Sequence, residues 1–239
     1  MPKYLIAGLK VIFEPRYPLL TERSEKYLNN FSGEADITLN MTEEIIDKMI
    51  EKVPVVPRET AEYMGTAIMF YNQLLNHNGF LLHSSCINYH NKAYFFTADP
   101  GPGKSTHTGL WKKYIPEVQF INDDKPAIRL IDGNYYACGT PWSGKTSLNS
   151  DVLVPVGGVA LLKRGLVNTI VPSDNKRAVT FILQQTQVPS QNDALDRMVY
   201  LLDGFVKNTP IYELACDMSE EAVKTSFETL TGEEYVKRT

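Results

Sequence analysis

The stretch Ala98-Asp99-Pro100-Gly101-Pro102-Gly103-Lys104-Ser105-Thr106 decides how this chain is interpreted. The apolar segment KAYFFTA leads into it, and HTGLWKKY, which has helical character, follows it. Glycines at positions 101 and 103 permit backbone angles that other residues resist, so that successive amide groups can point inward. The unpaired amides and positive dipole end of the following helix then face the same point. This local pattern predicts a loop that holds a phosphate group.

Neighbouring side chains complete the chemistry of such a loop. Lys104 can neutralise phosphate oxygens, and the hydroxyl of Ser105 can bind Mg²⁺. The match to GxxxxGK[ST] is incomplete because Ala98 stands where the first glycine belongs. The alternative interpretation is an ordinary Gly-Pro turn before a helix. We predict that ATP is bound by Asp99, Pro100, Gly101, Pro102, Gly103, Lys104, Ser105 and Thr106.

A pair of acids closes the next apolar segment, EVQFIN, at Asp123-Asp124. One carboxylate at such a strand end can hold the metal opposite the phosphate loop, and the other can accept a proton from an attacking hydroxyl. Because neighbouring side chains in a strand point to opposite faces, one of the two acids can be structural instead. The sequence predicts Ser105 and Asp123 as metal ligands, and Lys104, Asp123 and Asp124 as catalytic residues.

Two further segments contain candidate catalytic residues. His83 lies in LLHSS before the phosphate loop, where the alternative is a histidine satisfied within the core. The segment GTPWSGK ends at Lys145, which can meet the γ-phosphate or an anionic substrate if the loop closes over the site. The alternative for this loop is an ordered surface segment with Trp142 packed on the core. Arg164 could stabilise transition-state charge, although Lys-Arg pairs are also common on surfaces.

The composition is that of an ordinary globular protein. The 239 residues are 43% hydrophobic and 22% charged, with a net charge of −4. No basic stretch suits a nucleic-acid backbone, and no apolar run reaches the roughly 18 residues of a membrane span. The three cysteines lack CxxC spacing, which argues against a disulfide framework or a structural zinc site. We expect a cytoplasmic protein without nucleic-acid or membrane partners; the oligomeric state, a homo-oligomer included, stays open.

The hydrophobic pattern predicts strands and helices in mixed order. Residues 3–13 are expected to form one strand, and Ala61, Met64, Ile68, Tyr71 and Leu75 recur at helical spacing within a predicted helix at 57–76. FLLHSSCINYH and KAYFFTA predict a hairpin around Asn91, and Asp132-Gly133 predicts a second one.

A strictly alternating doubly wound sheet would contain fewer hairpins. We therefore predict an α/β fold whose core holds a mixed, largely antiparallel sheet. The expected division is an N-terminal α+β subdomain at residues 1–78 and a phosphate-loop core at residues 79–239.

The order LLHSSCI, a short hairpin, GPGKST, a strand ending in DD and a glycine-bounded loop resembles the HPr kinase/phosphorylase and phosphoenolpyruvate carboxykinase superfamily. The resemblance covers about residues 78–165. It implies a mixed α/β P-loop core and phosphoryl transfer that depends on ATP and Mg²⁺. It places Gly103, Lys104 and Ser105 in the phosphate and metal roles, makes Asp123 and Asp124 the metal and base candidates, and matches His83 to the family histidine.

Two departures separate this chain from the family pattern. Thr106 follows GKS where HPr kinases have glutamate, and the segment around Lys145 lacks the arginine of an Arg-Gly-rich signature. Small kinases that modify peptides or small molecules are therefore the better comparison. We predict a kinase that transfers the γ-phosphate to a hydroxyl of a protein, peptide or small molecule. The alternatives are a carboxykinase-type nucleotide-dependent lyase and an ATP-binding regulatory protein without turnover.

Overall fold

The computed structural model describes residues 1–99, 101 and 103–237. It is a mixed α/β structure. The strands are β1 (Lys3–Ile6), β2 (Leu9–Phe13), β3 (Ile37–Leu39), β4 (Gly79–Leu81), β5 (Ser84–Tyr89), β6 (Lys92–Thr97), β7 (Gln119–Asn122), β8 (Ala127–Ile131), β9 (Asn134–Cys138), β10 (Leu153–Arg164), β11 (Thr169–Pro172) and β12 (Ile211–Cys216). The helices are α1 (Pro18–Ser24), α2 (Glu43–Lys52), α3 (Arg58–Leu74), α4 (Lys104–Tyr114), α5 (Asn175–Gln184), α6 (Asn192–Asn208) and α7 (Glu220–Thr231).

A nine-stranded sheet forms the centre of the molecule, in the order β4-β8-β9-β10-β6-β5-β7, with β12 beside β10 and β11 beside β12. The long strand β10 first pairs antiparallel with β9 and then runs parallel to β6 and β12. Hairpin partners such as β5-β6 and β8-β9 are antiparallel. The prediction of a mixed sheet within an α/β fold is confirmed, whereas the assignment to one kinase-type P-loop fold stays a prediction.

Strand alternation divides the central sheet into two packed faces. Phe95 belongs to the cluster that contains Phe205 of α6, whereas its neighbour Phe96 belongs to the cluster that contains Trp111 of α4 and Phe227 of α7. All five of these rings are buried. Helices therefore cover both faces of the sheet. Strand β6 lies between β10 and β5, and α4 is the next element along the chain.

The N-terminal segment adds a three-stranded sheet in the order β1-β2-β3. The single strand predicted at residues 3–13 is wrong, because Ala7 and Gly8 take φ values of 53° and 73° and turn the chain into a hairpin. The same hydrophobic cluster contains residues of this segment and Leu81, Cys138 and Trp142 of the remainder. Packing is thus continuous across the predicted division near residue 78, which itself stays a prediction.

The other local predictions have mixed outcomes. Both hairpins are confirmed, with positive φ at His90, Asn91, Asp132 and Gly133 in their turns. Helix α3 lies within the range predicted for it, but two of the residues assigned to its buried face, Met64 and Ile68, are exposed. The other three, Ala61, Tyr71 and Leu75, are buried, and the inward face also includes Tyr63, Ala67 and Phe70. Helix α1 and strand β11 were not predicted from the sequence.

The structure also describes the three cysteines and the apolar character of the helices. Cys86, Cys138 and Cys216 are free and buried, and burial raises the pKa of each thiol. In the described part of the chain, no helix combines the length and the apolar character needed to cross a bilayer.

Candidate functional site

The start of α4 presents an open helix N-terminus. Gly101 and Gly103 take φ values of 99° and 95°, in the left-handed region that favours glycine. The amide of His107 donates to the Gly103 carbonyl at 2.9 Å, so the amides just before it lie beyond the reach of intrahelical acceptors. Gly103 is the N-cap and provides no side-chain cap, and among the described residues the first turn carries no acid. The positive end of this helix is therefore available to an anion.

The predicted nucleotide contacts are distributed around this helix start. Asp99, Ser105 and Thr106 are exposed, whereas Ala98, in the place of the first motif glycine, is fully buried. Pro100 and Pro102 lie outside the described residues, so their predicted contacts stay predictions. The exposed hydroxyls leave oxygen ligands within reach of a bound phosphate or metal ion.

Lys104 lies half-buried at the first position of α4. Its Nζ donates to the Ala98 carbonyl at 3.2 Å, so the side chain folds back over the loop. Burial lowers the pKa of Lys104, while the negative charges of Asp124, Asp123 and Asp99 act in the opposite direction. The ammonium group of Lys104 therefore lies in the electrostatic field of all three carboxylates.

A short chain of hydroxyl groups connects α4 to Asp123. Ser85 Oγ donates to Asp123 Oδ1 at 2.6 Å and lies 2.8 Å from Thr108 Oγ1. Thr146 Oγ1 donates to the other carboxylate oxygen at 3.2 Å. Asp123 is only 8% exposed, and both oxygens face donors. These contacts fix the orientation of the Asp123 carboxyl group beside the helix that carries Lys104.

Asp124 faces two basic side chains. Its Oδ1 lies 3.2 Å from His83 Nε2, and Oδ2 pairs with the ammonium of Lys125. Burial raises the pKa of Asp124, but the hydrogen bond from His83 and the charge of Lys125 outweigh it, so the net pKa is lowered. His83 Nδ1 in turn lies 3.3 Å from Gln185 Oε1, just after α5. His83, one residue before β5, is therefore oriented from both sides of its ring.

The loop after β9 is anchored to the N-terminal segment. Trp142 is fully buried, donates from Nε1 to Thr66 Oγ1 at 3.2 Å, and packs on Phe70 with ring centroids 4.8 Å apart. The alternative interpretation of the sequence, a Trp packed on the core, is thus the observed one. Lys145, which follows in this loop, is exposed and has no hydrogen-bond or ion-pair partner within the described residues.

Arg23 of α1 reaches into the same loop. Its Nη1 donates to Tyr63 OH at 3.0 Å, to Ser143 Oγ at 3.2 Å and to the Gly144 carbonyl at 2.5 Å. The amide of Gly144 donates to Tyr63 OH at 3.0 Å. A buried guanidinium and a buried phenol therefore hold the segment that contacts Asp124.

The donor set fits a hard divalent cation that also binds phosphates. Mg²⁺ prefers oxygen ligands and is commonly held by one or two carboxylates together with phosphates and water. Asp123 supplies a carboxylate and Ser105 an exposed hydroxyl. Among the described residues, no group of three or more His, Cys, Asp or Glu side chains forms a metal cage. A site completed by nucleotide phosphates is therefore the arrangement that these residues could support.

Several side chains around the acidic pair did not emerge from the sequence analysis. Ser85 follows His83 by two residues, and Thr108 follows Lys104 by four, so strand and helix periodicity could have placed each beside a predicted residue. Thr146 is adjacent to Lys145 in the same loop. Arg23 lies 121 residues from Gly144, and Gln185 lies 102 residues from His83, so no local pattern points to these contacts.

Comparison with known proteins identifies no family for this chain. No protein-family model matches it, and no curated protein matches it. Among solved structures, it is similar to the Hpr(Ser) kinase/phosphatase from Coxiella burnetii, with 11% sequence identity and a TM-score of 0.30. The similarity covers 54% of this chain and 88% of that one. A likeness at this level assigns neither a fold family nor an activity.

Proposed function

We propose that this protein is a kinase that binds ATP and Mg²⁺ at residues 98–106 and transfers the γ-phosphate to a hydroxyl group. The observation that carries the proposal is the connection from α4 through Thr108 and Ser85 to Asp123. It holds a carboxylate beside an open helix N-terminus and a lysine. Phosphoryl transfer needs these groups together, because catalysis consists mainly of positioning and charge neutralisation.

The binding roles follow from charge and exposure. The helix amides and Lys104 receive the β- and γ-phosphates, and Ser105 with Asp123 provides oxygen ligands for the metal. When bound, Mg²⁺ neutralises charge on the phosphate oxygens. The donors from Ser85 and Thr146 fix the orientation of the Asp123 carboxyl group.

Asp124 is assigned to the acceptor hydroxyl. The acceptor oxygen forms a bond to the γ-phosphorus while the bond from that phosphorus to the β–γ bridging oxygen breaks, and ADP leaves. The acceptor proton passes to the Asp124 carboxylate. Because the pKa of Asp124 is lowered by His83 and Lys125, its main contribution is to orient the hydroxyl for in-line attack. His83 is the positioning residue for this carboxylate, and the exposed Lys145 is assigned to charge on the incoming acceptor.

The test begins with nucleotide binding. We expect ATP with Mg²⁺ to bind the wild-type protein, and Lys104→Ala to weaken binding at least about tenfold through the loss of a charged contact. Lys112→Ala is the matched control, because Lys112 lies on the same helix and bonds the Pro116 carbonyl at its other end. Wild-type affinity in the Lys104 variant, measured by calorimetric titration, would contradict the proposal.

Turnover is tested separately from binding. Labelled γ-phosphate is followed into water and into serine, threonine and tyrosine peptides and small polyols, with wild type and Asp124→Asn. The expected result is that Asp124→Asn slows transfer much more than it weakens ATP binding. Formation of phosphoenolpyruvate from oxaloacetate and ATP would instead identify a carboxykinase, and binding without any transfer would identify a regulatory protein.

A further inference from the structure

A cavity of about 620 Å³ opens beside the phosphate loop. Its walls come from α4, from the turn after β10 and from the segment after β12. The residues that give it an apolar lining are His107, Leu110, Leu162, Leu166, Cys216 and Met218. One face of α4 and its N-cap lines the cavity, through Gly103, His107 and Leu110. A different face of the same helix carries Lys104 and Thr108. The cavity and the acidic pair therefore lie at different sides of the helix start.

His107 lines the cavity from α4 and is almost completely buried. His107 Nε2 lies 3.0 Å from Ser226 Oγ and 3.3 Å from Trp111 Nε1, and its Nδ1 lies 3.9 Å from Cys216 Sγ. Burial lowers the pKa of His107 to about 4, which keeps the imidazole neutral at physiological pH. A flat apolar group can thus enter without displacing a charge.

The rim combines exposed apolar groups with two charges. Leu166 is fully exposed at 101%, and Met218 is 57% exposed. Exposed Arg164 and Asp217 complete the mouth. An apolar surface with a few polar groups at its edge is the usual character of a small-molecule site, and the volume lies within the range of about 300–1,000 Å³ found for such sites.

The cavity is continuous with the phosphate loop. A Cβ at Gly103 would lie 3.1 Å from Met218 Cε, so the loop and the cavity wall are in direct contact. Arg164 Nη2 donates to the Gly101 carbonyl at 3.1 Å and spans the space between them. A ligand with phosphates at the loop and a ring in the cavity would lie close to this guanidinium.

We infer that this cavity receives the purine base of the nucleotide. The inference rests on the proposed function, since it assigns the phosphates to the loop at residues 98–106. The two apolar side chains at the rim, Leu166 and Met218, cover the faces of the ring, and the carboxylate of Asp217 accepts from a ribose hydroxyl or a base amino group. Asp217 Oδ1 is already engaged by Ser219, at 3.0 Å from its amide. An acceptor substrate is the less suitable occupant, because it must reach Asp124 instead.

The experiment separates base binding from phosphate binding. Affinities for ATP, GTP and inorganic tripolyphosphate, each with Mg²⁺, are measured by calorimetric titration for wild type and for Leu166→Ser combined with Met218→Ser. Both side chains are exposed, so the fold is retained. Val199→Ser combined with Tyr200→Ser removes two exposed apolar groups from α6 and is the matched control.

We expect wild type to bind the preferred purine nucleotide at least about tenfold more tightly than tripolyphosphate, because apolar burial of the base adds to the phosphate contacts. The rim variant should lose most of this preference and keep its tripolyphosphate affinity, and the control should keep both. Equal affinity of wild type for nucleotides and tripolyphosphate, or an unchanged preference in the rim variant, overturns the base site alone. Failure of all three ligands to bind wild type overturns the phosphate site as well.

Discussion

Gly144 lies so close to Asp124 that a Cβ at position 144 would be 2.7 Å from Asp124 Cβ and 2.8 Å from its Cγ. The φ of Gly144 is +67°, a conformation that L side chains rarely adopt. Both facts restrict the position to glycine. The loop after β9 and the proposed catalytic acid therefore share one packed arrangement, in which movement of either displaces the other.

Gly144→Ala should destabilise the protein and displace Asp124. Backbone strain and overpacking together predict a loss of about 2–4 kcal/mol in the free energy of unfolding. Gly133→Ala is the control, because Gly133 has a φ of +80° but open space around the added Cβ. This variant should lose only the about 1 kcal/mol that a positive φ costs a residue with a side chain. Urea denaturation measures both. Equal losses in the two variants would show that contact with Asp124 is not the cause.

The hydroxyl chain to Asp123 should behave as one coupled unit. Ser85→Ala removes the donor to a buried carboxylate and is expected to cost about 1.5–3 kcal/mol, and Thr108→Val about 1 kcal/mol. Because the two hydroxyls lie 2.8 Å apart, the double variant should lose less than the sum. Thr225→Val, at a partly exposed threonine of α7, controls for loss of a bond to the helix backbone. Strict additivity would contradict the coupling.

Arg23→Met tests the support of the loop by the N-terminal segment. The change removes three hydrogen bonds of a buried guanidinium. Because hydrogen bonds from a charged donor contribute more than neutral ones, we expect the free energy of unfolding to fall by about 2–4 kcal/mol. Arg58→Met is the control, since Arg58 forms ion pairs with Glu43 and Asp47 at an exposed site, where solvent and salt screen such pairs and they contribute little to stability. Thermal or urea unfolding of both variants provides the comparison, and a larger loss in the Arg58 variant would refute the assignment.

His107 should make stability depend on pH in a defined window. In the unfolded chain its pKa is 6.5, and burial lowers it to about 4 in the folded protein. Between these values the unfolded state binds more protons than the folded state, so stability falls as the pH is lowered. The slope from this residue is at most about 1.4 kcal/mol per pH unit, and the total is about 3 kcal/mol.

The His107 contribution is isolated by a difference measurement. Unfolding free energies of wild type and His107→Gln are determined from pH 7 down to pH 4 in the same buffers. The carboxylates titrate in both proteins, so they cancel in the difference. We expect the wild-type protein to lose its advantage as the pH falls through the window; a constant difference would mean that His107 is not buried in neutral form.

The sequence predicted those parts of the structure that have a local cause. Asp132-Gly133 forms its hairpin because both residues adopt positive φ in a two-residue turn. The helix start at Lys104 and the strand before it were likewise predictable, since glycine chemistry and apolar periodicity act over a few residues. Their agreement with the structure concerns local conformation, and the nucleotide roles of these residues stay predictions.

The support around the acidic pair could not be predicted from one sequence. His83 is oriented by Gln185, and Gly144 is held by Arg23, through contacts that depend on how distant elements pack. The error in α3 has a related cause: Met64 and Ile68 follow helical spacing, but the chain turns a neighbouring face, with Phe70, toward the core. Periodicity alone fixes the spacing of a buried face and not which of two adjacent apolar faces is covered.

The burial of Trp142 has a consequence for how the molecule folds. Its indole ring packs against Phe70 and Tyr71 of α3, in a cluster that also contains residues of the N-terminal sheet and Leu81 of β4. Loss of the first 74 residues would strip this ring of its neighbours and release the loop that contacts Asp124. The first segment and the remainder should consequently melt in a single cooperative transition, reported alike by tryptophan fluorescence and by far-ultraviolet circular dichroism.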